Sequence, residues 1–373
     1  MLPDDVAFAA ELEGALALDG DPWDKASKSW ERSRTWPITF MRSSKLFAPL
    51  PPATLAETLA PAALEALLKE KTHDISKIVP GNAESAIFKY HQEMEYYAEY
   101  ASSWRAWTWP KGGVDCNRHL EIVCNGVIPL FKNLDSEASP TTLFSYPRNL
   151  MALFLAKKDD QNVRHLAAMR HFMLHWAHKH LSGPRMVEYM MRAADHTAVA
   201  LGLPPRFSHP STHPPRLAFI DSSVAQDPDY LSMLLLMGMV EKLGADSVDI
   251  FYPAPFLYPG GPDKDGRGFV LYGLGYGYKH KLARPAEEPS LHTMLGRLHR
   301  GEYDAVVWGS FTRSAVHLDE PEVVAAYRDQ PHRLWLCDGH DAYGGWPAGP
   351  SGPWASLRHN ASTFIREHVD IPL

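Results

Sequence analysis

Cysteine is scarce: three residues, Cys116, Cys124 and Cys337, in a chain of 373. So odd and sparse a set argues against a disulfide framework and for a reducing, cytoplasmic setting. Basic residues are in deficit too, the net charge being −7. That speaks against a general nucleic-acid role, because no surplus of Lys and Arg is present to neutralise phosphates. One local basic pocket for a small anion stays compatible with it. Long apolar runs are missing. The densest, Leu231 to Val240, is about half of what spans a bilayer, so no transmembrane segment is expected. Residues 1–5 lack the basic region and apolar core of a secretory leader.

Several chemical signatures are absent as well. No Gly-x-Ser-x-Gly elbow and no Walker A loop occur, which leaves a hydrolase serine and a P-loop unsupported. Gly273, Gly275 and Gly277 follow a Gly-x-Gly-x-Gly spacing, which is not the dinucleotide fingerprint. That segment reads either as an aromatic loop over an acceptor sugar or as extended chain where backbones approach closely. His171, His175 and His178 share a helix face, but Phe172 stands where a His-Glu-x-x-His pattern needs Glu. A zinc site would also need a third ligand, and Arg164, Arg170 and Lys179 nearby would repel a cation. The expectation is a partly exposed basic helix face and no metal.

What is present points to two domains, the usual outcome at this length. Eleven Trp and fifteen Tyr suit a core and equally suit sugar rings that stack on aromatic faces. Residues 203–215, Leu-Pro-Pro-Arg-Phe-Ser-His-Pro-Ser-Thr-His-Pro-Pro, read as a stiff extended linker. The expected organisation is therefore a first domain over 1–205, a linker over 206–215 and a second domain over 216–373 with a C-terminal helix. Beyond residue 216, short apolar strands alternate with helices: 216–221, 229–243, 247–252, 291–300, 304–309, 320–328 and 333–337. That alternation predicts a Rossmann-like parallel sheet covered on both faces. In such sheets ligands bind beyond the carboxyl ends of the strands. Asp221, Ser222, Gly309, Ser310, Arg313, Asp338, His340 and Asp341 occupy those ends.

In the first half one stretch stands out, Lys111 to Phe131 (Lys-Gly-Gly-Val-Asp-Cys-Asn-Arg-His-Leu-Glu-Ile-Val-Cys-Asn-Gly-Val-Ile-Pro-Leu-Phe). It reads as a Gly loop, a short helix, a stop at Gly126 and a buried strand. Gly112 and Gly113 allow backbone N–H groups to approach a phosphate closely, and the helix N-terminus favours an anion. Arg118, Glu121 and Asn125, spaced by three and four, share a helix face. Arg118 could hold a diphosphate and Glu121 a ribose diol. The competing reading is a surface ion pair beside an ordinary turn. His119 is open between ligand contact and packing.

The run Asp115-Cys116-Asn117-Arg118-His119-Leu120-Glu121, followed by Asn125-Gly126-Val127-Ile128-Pro129, resembles the donor-binding segment of exostosin-like glycosyltransferases of the GT-B architecture. There an Arg and a Glu on a helix precede a Gly-Cys/Val-Ile-Pro strand. Related bacterial and viral glycosyltransferase-like proteins carry a Lys-Gly-Gly lead-in, an Asp-Cys pair and an Arg-His-x-Glu helix. Ser145 to Leu150, Asp229 to Ser232, Leu271 to Gly273, Trp308 to Ser310 and Asp338 to Asp341 are similar to further parts of that pattern. In scattered motifs the likeness covers roughly residues 84–155 and 216–341.

The resemblance implies an α/β fold with two Rossmann-like domains facing across a cleft. It also implies a sugar nucleotide as co-substrate, no permanently bound cofactor and a glycan acceptor. By it, Lys111 and Arg118 would meet the donor phosphates, and Glu121 the ribose or sugar, with Gly112, Gly113, His119 and Asn125 completing the donor segment. GT-B chains normally carry the donor domain second, whereas this segment lies in the first half. Two packed domains with neighbouring termini tolerate circular permutation, so a permuted order is expected. Pro129 occupies the position of the second acid in the Glu-x7-Glu pattern of retaining enzymes, which leaves retaining chemistry unsupported. A general base for the acceptor hydroxyl is sought among Asp338, Asp341 and Asp229, although Asp229 also suits an N-cap. The alternative is a non-catalytic protein that binds a sugar or nucleotide on the same fold.

Overall fold

The computed structural model describes residues 2–23, 35–80, 88–89, 91–110, 115–134, 143–208, 214–225, 228–262, 271–311, 316–317, 320–339, 357 and 360–366. The chain is mixed α/β and forms two compact units. The first comprises residues 1–22 and 44–182, the second residues 23–43 and 183–373.

In the first unit, helix α1 (Pro3–Asp19) is followed by α2 (Leu55–Thr58), α3 (Pro61–Glu70), strand β2 (His73–Ile75) and α4 (Glu93–Ala101). Strand β3 (Ser103–Thr108), α5 (Asn117–Cys124), β4 (Ile128–Phe131), α6 (Arg148–Ala156) and α7 (Val163–His180) complete it. Sequence sets the helix starts. Thr54 and Glu57 form a capping box on α2, and Pro61 takes the first position of α3, where its missing N–H is harmless. The three strands form one parallel sheet in the order β2-β3-β4. Ile78, Tyr100, Ala106, Ile122 and Val127 form a buried cluster on it, joined by Tyr96.

The second unit begins with β1 (Thr35–Pro37) and resumes with α8 (Gly183–Ala200), β5 (Leu217–Ile220), α9 (Tyr230–Leu243) and β6 (Val248–Ile250). It continues through α10 (Leu291–His299), β7 (Ala305–Trp308), α11 (Pro321–Tyr327), β8 (Leu334–Asp338) and β9 (Ser362–Ile365). All six strands are parallel in the order β6-β5-β7-β8-β9-β1. The order reverses beside β5, which has β6 on one side and β7 on the other, so the switch point lies between β5 and β7. Pro37 sits in the edge strand, where a missing N–H costs no ladder bond. Helix α9 is buried from Tyr230 to Val240. Each large aliphatic side chain so buried contributes about 1.5–3 kcal/mol.

The division between the units falls at residues 182 and 183, not in the Pro-rich stretch expected to be a linker. Asp195 of α8 shows why. Its buried carboxylate accepts the backbone N–H of Arg206 (2.6 Å), Phe207 (2.9 Å) and Ser208 (2.6 Å), and Arg206 also pairs with Asp304. Residues 206–208 of that stretch are tied into the second unit. Near the C-terminal end, Ser362–Ile365 is a strand between β8 and β1, and residues 340–356 and 367–373, where the expected C-terminal helix could fall, lie outside the described residues. The segment around Gly273, Gly275 and Gly277 is a 3-10 turn and further turns rather than extended chain, with Gly275 and Gly277 at φ 71° and 91°. Among the described residues no helix is long and apolar enough to cross a membrane.

Candidate functional site

The stretch singled out in the sequence forms a β3–loop–α5–β4 unit, its strands paired in register from Arg105 with Ile128 to Thr108 with Phe131. Leu120, Ile122, Val123 and Cys124 are buried and fix the inner face of α5. Gly126 ends the helix at φ 68°, and a Cβ there would press on the Arg170 guanidinium at 3.0 Å from Nε. In sequence, Lys111, Gly112 and Gly113 lie between β3 and α5, outside the described residues.

Four of the expected donor residues are described, and their surroundings differ. Glu121 is 6 % exposed. Its carboxylate accepts from the Tyr96 hydroxyl of α4 at 2.7 Å and from Asn117 Nδ2 at 2.9 Å. Burial, then Glu121, drive the Tyr96 phenol well above its usual range, so it stays a donor. Tyr100 is fully buried beside them. Burial and Glu121 raise its phenol, while Arg118 pulls the other way. Arg118, in the first turn of α5, is half-buried and thus stands next to this tyrosine–carboxylate network.

His119 is fully buried. Its Nδ1 bonds the Thr108 hydroxyl at 2.6 Å and its ring packs on Phe131 at 4.6 Å, so it joins α5 to β3 and β4. Packing is its role here. Asn125 is the C-cap of α5, with Nδ2 donating to the Glu121 carbonyl at 2.7 Å. It therefore sits past the last turn and not on the face near the N-terminal half. Asp115, at the start of the unit, is buried; with burial as the larger cause, it helps to raise the Tyr146 phenol.

In the second unit the strand ends gather a second group. Asp221, at the end of β5, is 1 % exposed. It accepts from Ser223 N (3.0 Å), Ser223 Oγ (2.6 Å) and the Ser232 hydroxyl. Burial, with Asp229 adding, raises its pKa against these hydrogen bonds. Asp229 caps α9 by accepting from Ser232 N at 3.0 Å, the structural role that competed with catalysis in the sequence reading. Two glycines make room for this group. A Cβ on Gly309 would collide with the Ser232 hydroxyl, and one on Gly339 would lie 2.8 Å from Asp229 Oδ1. Asp338 ends β8, half-buried, immediately before Gly339. Asp229 and the Asp338–Gly339 turn thus come together, while Arg313, His340 and Asp341 lie outside the described residues.

One constellation escaped the sequence reading. Glu320 accepts from His299 Nε2 at 2.6 Å and from His317 Nδ1, and His317 Nε2 meets the Tyr252 hydroxyl at 3.1 Å. With both imidazoles donating to Glu320, the bond between His317 Nε2 and the Tyr252 hydroxyl extends the chain. Burial works against the Glu320 charge, yet the histidine hydrogen bonds prevail and hold its pKa below the usual range. His317 holds a left-handed backbone at φ 69°, a strain that clusters at functional sites. The His-x-x-Glu spacing of 317 and 320 was a usable signal; Tyr252 and His299 are too distant in sequence to have given one.

The histidines of α7 each have a partner: His165 with Asp160, His171 with Thr58, His175 and His178 with the Pro52 and Ala48 carbonyls, and His180 against Trp176. His171, His175 and His178 tie the helix to other segments, and His171 and His180 are buried rather than on an exposed face. No family model matches the chain, and no curated protein or solved structure matches it either.

Proposed function

We propose that the chain is a glycosyltransferase that moves a sugar from a nucleotide diphosphate donor to a hydroxyl of a glycan acceptor, with its donor site at the start of α5. The observation that supports this reading is the β3–loop–α5–β4 unit. In sequence, a segment with Gly112 and Gly113 joins the carboxyl end of a parallel strand to a helix whose first turn carries Arg118, the usual seat of a phosphate in α/β folds. Arg118 would balance the charge that develops on the leaving diphosphate. Glu121, held by Tyr96 and Asn117, would keep the wall of the site rigid. In the transfer the bond from the sugar anomeric carbon to the phosphate oxygen breaks. A bond from that carbon to the acceptor oxygen forms, a base takes the acceptor proton, and the nucleotide diphosphate leaves.

The test is a thermal-shift screen of the full chain against a panel of nucleotide sugars, because a ligand of the folded state raises Tm with its affinity. The reading expects stabilisation by one of them that Arg118→Ala abolishes. Full affinity of a folded Arg118→Ala protein for every nucleotide sugar would sink it. The alternative, a binder without turnover, is favoured by the Asp229 cap and by the engagement of both Glu121 oxygens. Slow hydrolysis of the bound donor without acceptor separates the two, since a pure binder releases it intact.

A further inference from the structure

A groove of about 760 Å³ opens in the first unit, with Glu13 and Leu16 of α1, Leu50, and His175, His178 and Lys179 of α7 among its walls. Its size falls within the range of small-molecule sites. The loop that carries Leu50 is tied to the far end of α5, where the Ala48 N–H donates to the Cys124 carbonyl at 2.6 Å. The groove is therefore a different place from the loop that leads into α5.

The hydrogen bonds of its walls define what could bind. His175 Nε2 donates to the Pro52 carbonyl at 3.1 Å and His178 Nε2 to the Ala48 carbonyl at 2.9 Å. A carbonyl can only accept, so Nε2 carries the hydrogen, and Nδ1 is the acceptor whenever the ring is neutral. Among the described residues neither Nδ1 has a hydrogen-bond partner, and neither the Glu13 carboxylate nor the Lys179 ammonium has an ion-pair partner. The walls thus offer the two imidazole acceptors, the carboxylates of Glu13 and Asp21, of which Asp21 is already engaged, one cation, and the apolar Leu16 and Leu50. A ligand that satisfies them needs several hydroxyl donors, one anionic group and a ring with an apolar face.

We propose that this groove binds an acidic sugar, a pyranose carrying a phosphate or a carboxylate. Its hydroxyls donate to His175, His178 and Glu13, and its anionic group pairs with Lys179. The proposal is independent of glycosyl transfer.

Isothermal titration calorimetry of the full chain with glucose 6-phosphate, glucuronic acid, glucose and inorganic phosphate tests it. Binding of glucose 6-phosphate or glucuronic acid is expected, and which of the two binds tells phosphate from carboxylate as the anionic group. Lys179→Ala and Glu13→Gln should each weaken it about tenfold, about 1.4 kcal/mol. Both residues are exposed, so the Tm of either protein should be unchanged. The proposal is overturned if neither acidic sugar binds, or if glucose or phosphate alone binds as tightly. It is equally overturned if Arg118→Ala abolishes binding while Lys179→Ala leaves it intact, because the ligand would then sit at α5. Failure of the nucleotide-sugar screen would leave these measurements untouched.

Discussion

Gly183 and Gly238 meet backbone to backbone: a Cβ on Gly183 would lie 2.7 Å from the Gly238 Cα, and one on Gly238 2.9 Å from the Gly183 Cα. The start of α8 and the middle of α9 can approach this closely only because neither residue has a side chain. Gly238→Ala should therefore destabilise the protein by about 1–3 kcal/mol, the usual cost of overpacking a closed interior, despite the better helix propensity of Ala. The urea midpoint reads it directly. An unchanged or higher midpoint would mean that the helices part freely.

Tyr96 donates to Glu121 at 2.7 Å inside the first unit. Tyr96→Phe removes the donor and leaves a buried carboxylate short of one partner, at a cost of about 1–3 kcal/mol. Adding Glu121→Gln should make the two changes non-additive, because the carboxylate that needed the donor is gone. Strict additivity in the double-mutant cycle would show that the pair is not coupled.

Acid should weaken both units. Burial, then His175 and Arg170, hold the His171 imidazole at about 4, and burial with Arg333 does the same for His332. An unfolded His takes up its proton near 6.5. Between about 6.5 and about 4 the unfolded chain binds more protons, so stability is complete above that window and falls as pH drops through it. His171→Asn should give a shallower fall of the urea midpoint between pH 7 and pH 4.5, though from a lower start, since the bond to Thr58 is altered. A midpoint flat across that range in the parent protein would contradict the assignment.

Lys71 behaves in the opposite sense. Burial and the nearby Arg170 push its ammonium down to about 7, with Glu70 opposing. An unfolded Lys keeps its proton to about 10.4. From pH 7 upward the unfolded chain holds the extra proton, so the Lys71 contribution to stability rises with pH. Between pH 7 and pH 9, below the range where tyrosines titrate, Lys71→Met should remove that rise. It should also lower stability by about 1–3 kcal/mol, because Nζ serves the carbonyls of Ala101 (2.6 Å), Ser103 (3.0 Å) and Gly126 (3.0 Å). An identical pH slope in both proteins would refute the lowered pKa.

The parallel alternation of the second unit was legible because buried strands such as Leu217–Ile220, Ala305–Trp308 and Leu334–Asp338 are nearly continuous apolar runs. His73–Ile75 and Ser362–Ile365 are short and half polar, and only pairing with neighbours makes them strands. The Pro-rich composition of 203–215 suggested a free linker, but one buried carboxylate, Asp195, outweighs composition. At the site, α5 and its Gly126 stop were readable, as was the capping alternative for Asp229. The Tyr96 bond to Glu121 and the Tyr252–His317–Glu320–His299 chain were not, since side chains far apart in sequence meet only through the fold.

The pairing of β1 with β9 sets an order of events for biosynthesis. Thr35–Pro37 is made more than three hundred residues before its partner Ser362–Ile365. Everything the first unit needs has left the ribosome by residue 182, so that unit can close during synthesis. Meanwhile residues 23–43, inserted between the two pieces of that unit, wait with the β1 ladder unmade. The β1–β9 ladder therefore cannot form until residue 365 has been made, and until then Thr35–Pro37 lacks its partner strand and is open to premature pairing with another chain.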